Sequence, residues 1–166
     1  MATHDKIRRF LLPPISPKTL LRIVLVALCA YLFFGHICIP LRIRGHSMEP
    51  TYHNGGFNFC WRPAFLFTTP SQHDLVLVRF AGRKVMLLKR VVAIEGQRVE
   101  FRNGKLFVDG LNVDEPYVHY PCRWDLPPRQ VKKGCVYVVG DNRSMPMSNH
   151  SFGQASSERI TGAPLW

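Results

Sequence analysis

The sequence predicts a mainly β fold tethered by one N-terminal transmembrane helix, and three observations predict it. Residues 23–39, IVLVALCAYLFFGHICI, contain no Asp, Glu, Lys or Arg, and with Leu20, Leu21 and the stem of Arg22 they are long enough to cross a bilayer. Beyond them, runs rich in Val, Leu and Phe recur at short intervals, bounded by Gly, Asn-Gly or Asp-Gly, which is the punctuation of strands and hairpins. Of the 166 residues, those left after the span suffice for one domain with its own core.

Residues 1–19 read as a cytoplasmic tail, with Pro13, Pro14 and Pro17 opposing any helix ahead of the span. Residues 20–40 form the anchor and 41–166 the extracytoplasmic domain. A cleavable signal peptide is the competing reading of the apolar run, because a basic segment precedes it. The run is too long for one and no small-residue cleavage site follows. Lys6, Arg8, Arg9, Lys18 and Arg22 lie before the span and only Arg42 and Arg44 close behind it, which keeps the N-terminus in the cytoplasm. His36, near the end of the span, is expected in the wet interface. The net charge of +11 lacks any zinc-finger spacing, RNP-like run or basic helix to organise it, so nucleic acid is not expected as a partner. A basic domain beside a membrane faces anionic headgroups instead.

The aromatics of 56–70 (Phe57, Phe59, Trp61, Phe65, Phe67) suit either a core or an apolar rim against the outer leaflet. Residues 74–80 and 85–94 read as paired strands turning at Gly82. Residues 98–102 and 106–108 flank Asn103-Gly104, the strongest hairpin signal in the chain. Asp109-Gly110 marks another turn, and 136–139 a last buried strand ending in Gly140-Asp141-Asn142.

Two residues carry candidate chemistry. Ser47 lies in Gly45-His46-Ser47-Met48-Glu49-Pro50-Thr51, where a glycine entry and a Pro-Thr exit can hold a serine on a bent loop with its hydroxyl exposed. The same residue types also make ordinary turns. Lys89 shares a strand face with Val85, Leu87, Val91 and Ala93. Burial there disfavours the ammonium and leaves an amine able to accept a proton near neutral pH, unless the side chain snorkels to the sheet edge. Arg90 points to the opposite face and needs an acid.

The serine motif resembles the nucleophile box of type I signal peptidases, membrane-anchored Ser/Lys endopeptidases that remove signal peptides from exported proteins. Three further motifs resemble that family's boxes in the same order. Pro70-Ser71-Gln72-His73-Asp74-Leu75-Val76-Leu77-Val78 matches its strand box, Leu88-Lys89-Arg90-Val91-Val92-Ala93-Ile94-Glu95-Gly96 its lysine box, and Gly140-Asp141-Asn142-Arg143, with Phe152-Gly153 and Ile160-Thr161-Gly162, its closing box. The resemblance implies a signal-peptidase-like β-fold, with Ser47 as nucleophile and Lys89 as general base. It further implies that Met48 shapes the cleft, that the Ser47 N–H is the main oxyanion donor beside Gly45, and that Pro50, Arg90, Gly140, Asp141, Asn142 and Arg143 support the site, with Arg90 and Asp141 paired. The implied partners are signal-peptide-bearing precursors and the lipid bilayer, and the implied location is the bacterial inner membrane. Small residues are expected at the two substrate positions nearest the cut, and no metal or cofactor is expected, because the seven histidines show no ligand spacing.

The closing box departs from the family pattern. It reads Ser144-Met145-Pro146-Met147-Ser148, and Pro146 stands where a serine of relatives hydrogen-bonds the lysine, leaving Ser144 or Ser148 to substitute. The larger second β-domain of some relatives is missing. Cys29 and Cys38 read as packing residues, while Cys122 and Cys135 can close a loop if the compartment is oxidising. The competing functions are a pilin- or conjugation-type peptidase of the same family, a self-cleaving Ser/Lys repressor and a non-catalytic tethered β binding module. A His46-based triad competes with the mechanism.

Overall fold

The computed structural model describes residues 16–81, 85–149 and 153–166. The tail before Ser16, the Gly82 turn, and His150, Ser151 and Phe152 of the closing box lie outside the described residues. The chain divides into an N-terminal helical unit and a β body, Ile37–Trp166.

Helix α1, Pro17–Leu32, starts where local chemistry allows a helix to start. Ser16 is the N-cap, its hydroxyl accepting from the Thr19 N–H at 3.2 Å, and Pro17 occupies the first turn, where its missing N–H costs nothing. The proline expected to bar a helix therefore opens one. A π-helical turn, Phe33–Ile37, extends α1 to a 21-residue apolar run with no buried residue, about 30 Å at 1.5 Å per residue. That is long and apolar enough to cross a membrane. The helical segment ends at Ile37 because Cys38 already belongs to a sheet. His36 falls in the π-helical turn, edge-on to Tyr31.

The body holds a seven-stranded and a four-stranded antiparallel sheet. In chain order the strands are β1 (Cys38–Arg42), β2 (Phe57–Trp61), β3 (Leu75–Ala81), β4 (Val85–Ala93), β5 (Arg98–Arg102), β6 (Lys105–Val108), β7 (Leu111–Asn112), β8 (Leu126–Gln130), β9 (Cys135–Val139), β10 (Gly153–Ser156) and β11 (Ile160–Pro164). The larger sheet has the order β1-β2-β11-β3-β4-β9-β10 and the smaller β7-β6-β5-β8. Pro40 is on β1, and Pro127 and Pro128 are on β8, both edge strands, while Pro164 is the last residue of the interior strand β11.

The expected β3–β4 pair is formed, placing Val76 opposite Lys89 and Leu75 opposite Arg90. The β5–β6 hairpin turns on Asn103 and Gly104, at φ 50° and 76°, as a two-residue turn of this hand requires. A Cβ at Gly104 would lie 2.0 Å from the Cys122 carbonyl oxygen, so the turn packs directly on the 113–125 segment. Strands β1, β2, β8, β10 and β11 are less legible in the sequence, being short, proline-bearing or aromatic.

Among the described residues, three clusters form the core. Val92, Ala93, Val99, Phe101, Leu106, Trp124, Leu126, Tyr137 and Val139 join the two sheets. Val76, Val78, Val91, Val136, Val138 and Ala155 form the second cluster, and Ile43, Met48, Cys60, Leu77 and Leu88 the third, next to the serine motif. The aromatics of 57–67 divide between core and surface. Phe65 packs on the second cluster, whereas Phe57 and Phe67 are exposed. Cys122 and Cys135 are separate half-buried thiols against the first cluster, not a disulfide.

Candidate active site

Residues 45–51 form a bent loop between β1 and β2. Gly45 adopts φ 94°, which favours glycine, and its N–H donates to Asn54 Oδ1 at 3.0 Å. The Glu49–Pro50 peptide is cis, and the Tyr52 N–H donates to the Met48 carbonyl at 2.9 Å. Met48 is buried at 2% exposure against Leu77 and Leu88, so it fixes the loop to the body while Ser47 beside it stays half-buried. Asn142 holds the loop from the other side. Its N–H donates to the Ser47 carbonyl and its side-chain amide to the His46 carbonyl, both at 3.0 Å. The Ser47 N–H makes no hydrogen bond among the described residues and is available as an oxyanion donor.

Lys89 enters from β4 and its Nζ donates to Ser47 Oγ at 2.7 Å. At 2% exposure it does not snorkel to the sheet edge, its Nζ being turned onto Ser47. Desolvation lowers its pKa to about 8, against the opposing pull of the Asp141 carboxylate. The unfolded chain binds the proton more tightly than the fold does, so stability is lowest below pH 8 and rises between there and pH 10.5. The cost of burying the ammonium is about 3 kcal/mol. Ser144 and Ser148 do not reach Lys89: the Ser144 hydroxyl donates to Asn142 Oδ1 at 2.6 Å and that of Ser148 lies 3.4 Å from Asn149 Oδ1. The turn after Asn142 directs both side chains back onto their own segment. Pro146 has no donor to replace them.

Arg90, from the opposite face of β4, pairs with Asp141 through two bonds, Nε to Oδ1 at 2.9 Å and Nη2 to Oδ2 at 2.7 Å. Asp141 is fully buried and also accepts from the Thr51 hydroxyl at 2.6 Å, while Arg90 Nη1 donates to the His73 carbonyl at 2.9 Å. Arg143, 1% exposed, forks onto Glu115 at 2.8 and 2.5 Å and donates from Nε to the Gly140 carbonyl. Glu115, Tyr117, Thr51 and the His73 carbonyl escape the sequence reading. Glu115 and Tyr117 carry no motif in the sequence, and the one hint of them is that a buried Arg143 must have an acid. His46 is exposed and bonded through Nδ1 to Glu49 at 2.9 Å, an ordinary surface pair.

A groove of about 560 Å³ runs up to Ser47, walled by Leu41, Ile43, Met86, Leu87 and Leu88, with Arg42 and Arg44 also lining it. A serine hydroxyl held by a buried amine at the end of an apolar groove can perform acyl transfer, the amine taking the hydroxyl proton. The class so defined is that of the serine hydrolases.

The particular family follows from comparison with known proteins. Residues 17–165 match the family model described as signal peptidase, peptidase S26. The chain is 33% identical over 148 residues to thylakoidal processing peptidase 1 of Arabidopsis thaliana, the match covering 81% of this chain but 43% of that protein. It is 31% identical over 155 residues to the probable signal peptidase I-1 of Synechocystis (89% of this chain, 78% of that one). Against signal peptidase I of Bacillus licheniformis it is 26% identical over 151 residues (84% and 81%). A crystal structure of a signal peptidase I from Enterococcus faecalis aligns with a TM-score of 0.49 at 22% identity, covering 58% of this chain and 97% of that one. The chain belongs to the signal peptidase family, peptidase S26, a family of serine endopeptidases.

Proposed function

We propose that this chain is a membrane-bound serine endopeptidase that removes N-terminal signal peptides from exported precursors, with Ser47 as nucleophile and Lys89 as general base. The observation that carries the reading is the 2.7 Å contact between Lys89 Nζ and Ser47 Oγ, made by an amine whose pKa burial brings to about 8. Neutral Lys89 takes the hydroxyl proton as Oγ attacks the scissile carbonyl. The Ser47 N–H faces the developing oxyanion, and the protonated lysine returns its proton to the leaving amine. Water, deprotonated by the same amine, then releases the acyl group. The apolar groove receives the precursor as an extended segment, its shallow walls admitting small side chains next to the cut. The Arg90–Asp141 pair and Arg143 support this site through Asn142.

Cleavage of a purified precursor should give a single new N-terminus at the signal junction, and its rate should climb through about pH 8 as Lys89 deprotonates. A flat or falling profile across that range, or no cleavage of any precursor in a broad panel, would remove the lysine base or the activity.

The N-terminus lies in the cytoplasm and the β body outside a bacterial plasma membrane, as Lys6, Arg8, Arg9, Lys18 and Arg22, all ahead of the uncharged run 23–39, favour. Protease added to intact spheroplasts should therefore digest residues 41–166. Full protection until lysis would reverse the orientation and remove the access to exported substrates that the reading needs.

A further inference from the structure

The buried ion pairs beside the candidate site, Arg90 with Asp141 and Arg143 with the half-buried Glu115, are linked by one aromatic ring. The Tyr117 ring lies over the Arg90 guanidinium, 3.8 Å from Cζ to the ring centroid. Its hydroxyl donates to Glu115 Oε1 at 2.8 Å, with His73 Nδ1 at 3.3 Å. Glu115 is in turn gripped by Arg143, whose Nε holds the Gly140 carbonyl next to Asp141. Burial first, and Glu115 second, push the Tyr117 phenol far above its ordinary range, so it stays a neutral donor wherever an amine base can work.

We propose that Tyr117 is a positioning residue whose ring caps Arg90 and keeps it turned onto Asp141, so that the carboxylate acting on Lys89 stays neutralised by an arginine. This deepens the reading of Lys89 as the base and rests on it. Lys89 feels Asp141 from the segment after β9 and bonds Ser47 from the loop after β1. Arg90 feels Asp141, Tyr117 from the 113–125 segment, Tyr52 from the turn after Ser47, and the His73 carbonyl ahead of β3. Asp141 is therefore shared between two cations on adjacent residues of β4, and what Arg90 does not neutralise acts on Lys89. A guanidinium stacked on an aromatic face is held in one orientation and kept from water on that side. Without the ring, water competes for Arg90, the pair loosens, and the Asp141 field favours the lysine ammonium.

The experiment uses the full chain in detergent micelles with a purified precursor, following kcat/KM from about pH 6 to about pH 10. Tyr117→Leu should move the rising limb to higher pH by about half a unit or more, with most of the rate recovered on the alkaline plateau. Tyr117→Phe keeps the ring and should hold the wild-type midpoint. Tyr117→Met gives the same comparison should the leucine variant not fold. A midpoint unmoved in Leu and Met variants that merely melt earlier overturns the proposal, leaving Tyr117 a packing residue. A shift in Tyr117→Phe as large as in Tyr117→Leu also overturns it, assigning the effect to the hydroxyl. If the wild type itself lacks the rising limb, the reading of Lys89 falls instead.

Discussion

Ser47→Ala and Lys89→Arg should each reduce precursor processing by about 10³-fold or more, while the circular dichroism spectrum and melting point stay near wild type. Alanine at 47 removes the attacking oxygen and little else, because the loop is held by backbone carbonyls of His46 and Ser47 bonded to Asn142 and by buried Met48. Arginine at 89 keeps the positive charge but stays protonated at any working pH, so it cannot take the serine proton. Ser47→Cys should keep a small residual rate, since a thiol loses its proton more readily than a hydroxyl. Near-normal cleavage by Lys89→Arg would mean that another base operates. His46 would be tested next, although its ring is bonded to Glu49. In that event the Ser/Lys mechanism is abandoned and the fold and family stand.

The second large effect is on stability. Asp141→Ala and Arg90→Ala should each cost about 3–5 kcal/mol, because each leaves its partner buried and uncompensated. In a body of this size that is a fall of roughly 10–20 °C in Tm. A surface pair would cost about 1 kcal/mol or less, so the size of the loss reports the burial: Asp141 is 0% and Arg90 8% exposed. The double variant Arg90→Met/Asp141→Leu should recover much of the loss, since neither charge is then stranded. Two single variants that melt with the wild type would show that the pair contributes nothing to the fold.

Three of the four ordered motifs mark Ser47, Lys89, Arg90 and Asp141 in the sequence, and the fold brings these four residues together. The reason is that each carries a local signature: a bent serine loop, a cation among strand residues and a turn after a buried strand. The paired β3–β4 strands and the Asn103-Gly104 hairpin are legible on the same grounds, because period-two patterns and turn residues act within a few positions. The start of α1 misleads for a related reason. Proline opposes a helix interior but suits its first turn, and only the Ser16 cap decides which applies.

The sequence by itself determined the family, the mainly β class and the apolar span, and it marked Ser47 and Lys89 as candidates for chemistry, since all of these depend on side-chain type at short spacing. Only the tertiary structure decided which partners those residues have. Glu115, Tyr117 and Thr51 reach the site from segments far from the arginines and the aspartate in the chain. Ser144 and Ser148, adjacent in sequence to the closing turn, face away from Lys89. The two half-buried thiols of Cys122 and Cys135 stay apart. These outcomes depend on strand order and on which loops cross above β4, where desolvation makes every charge find a partner. No local pattern records where along the chain that partner lies.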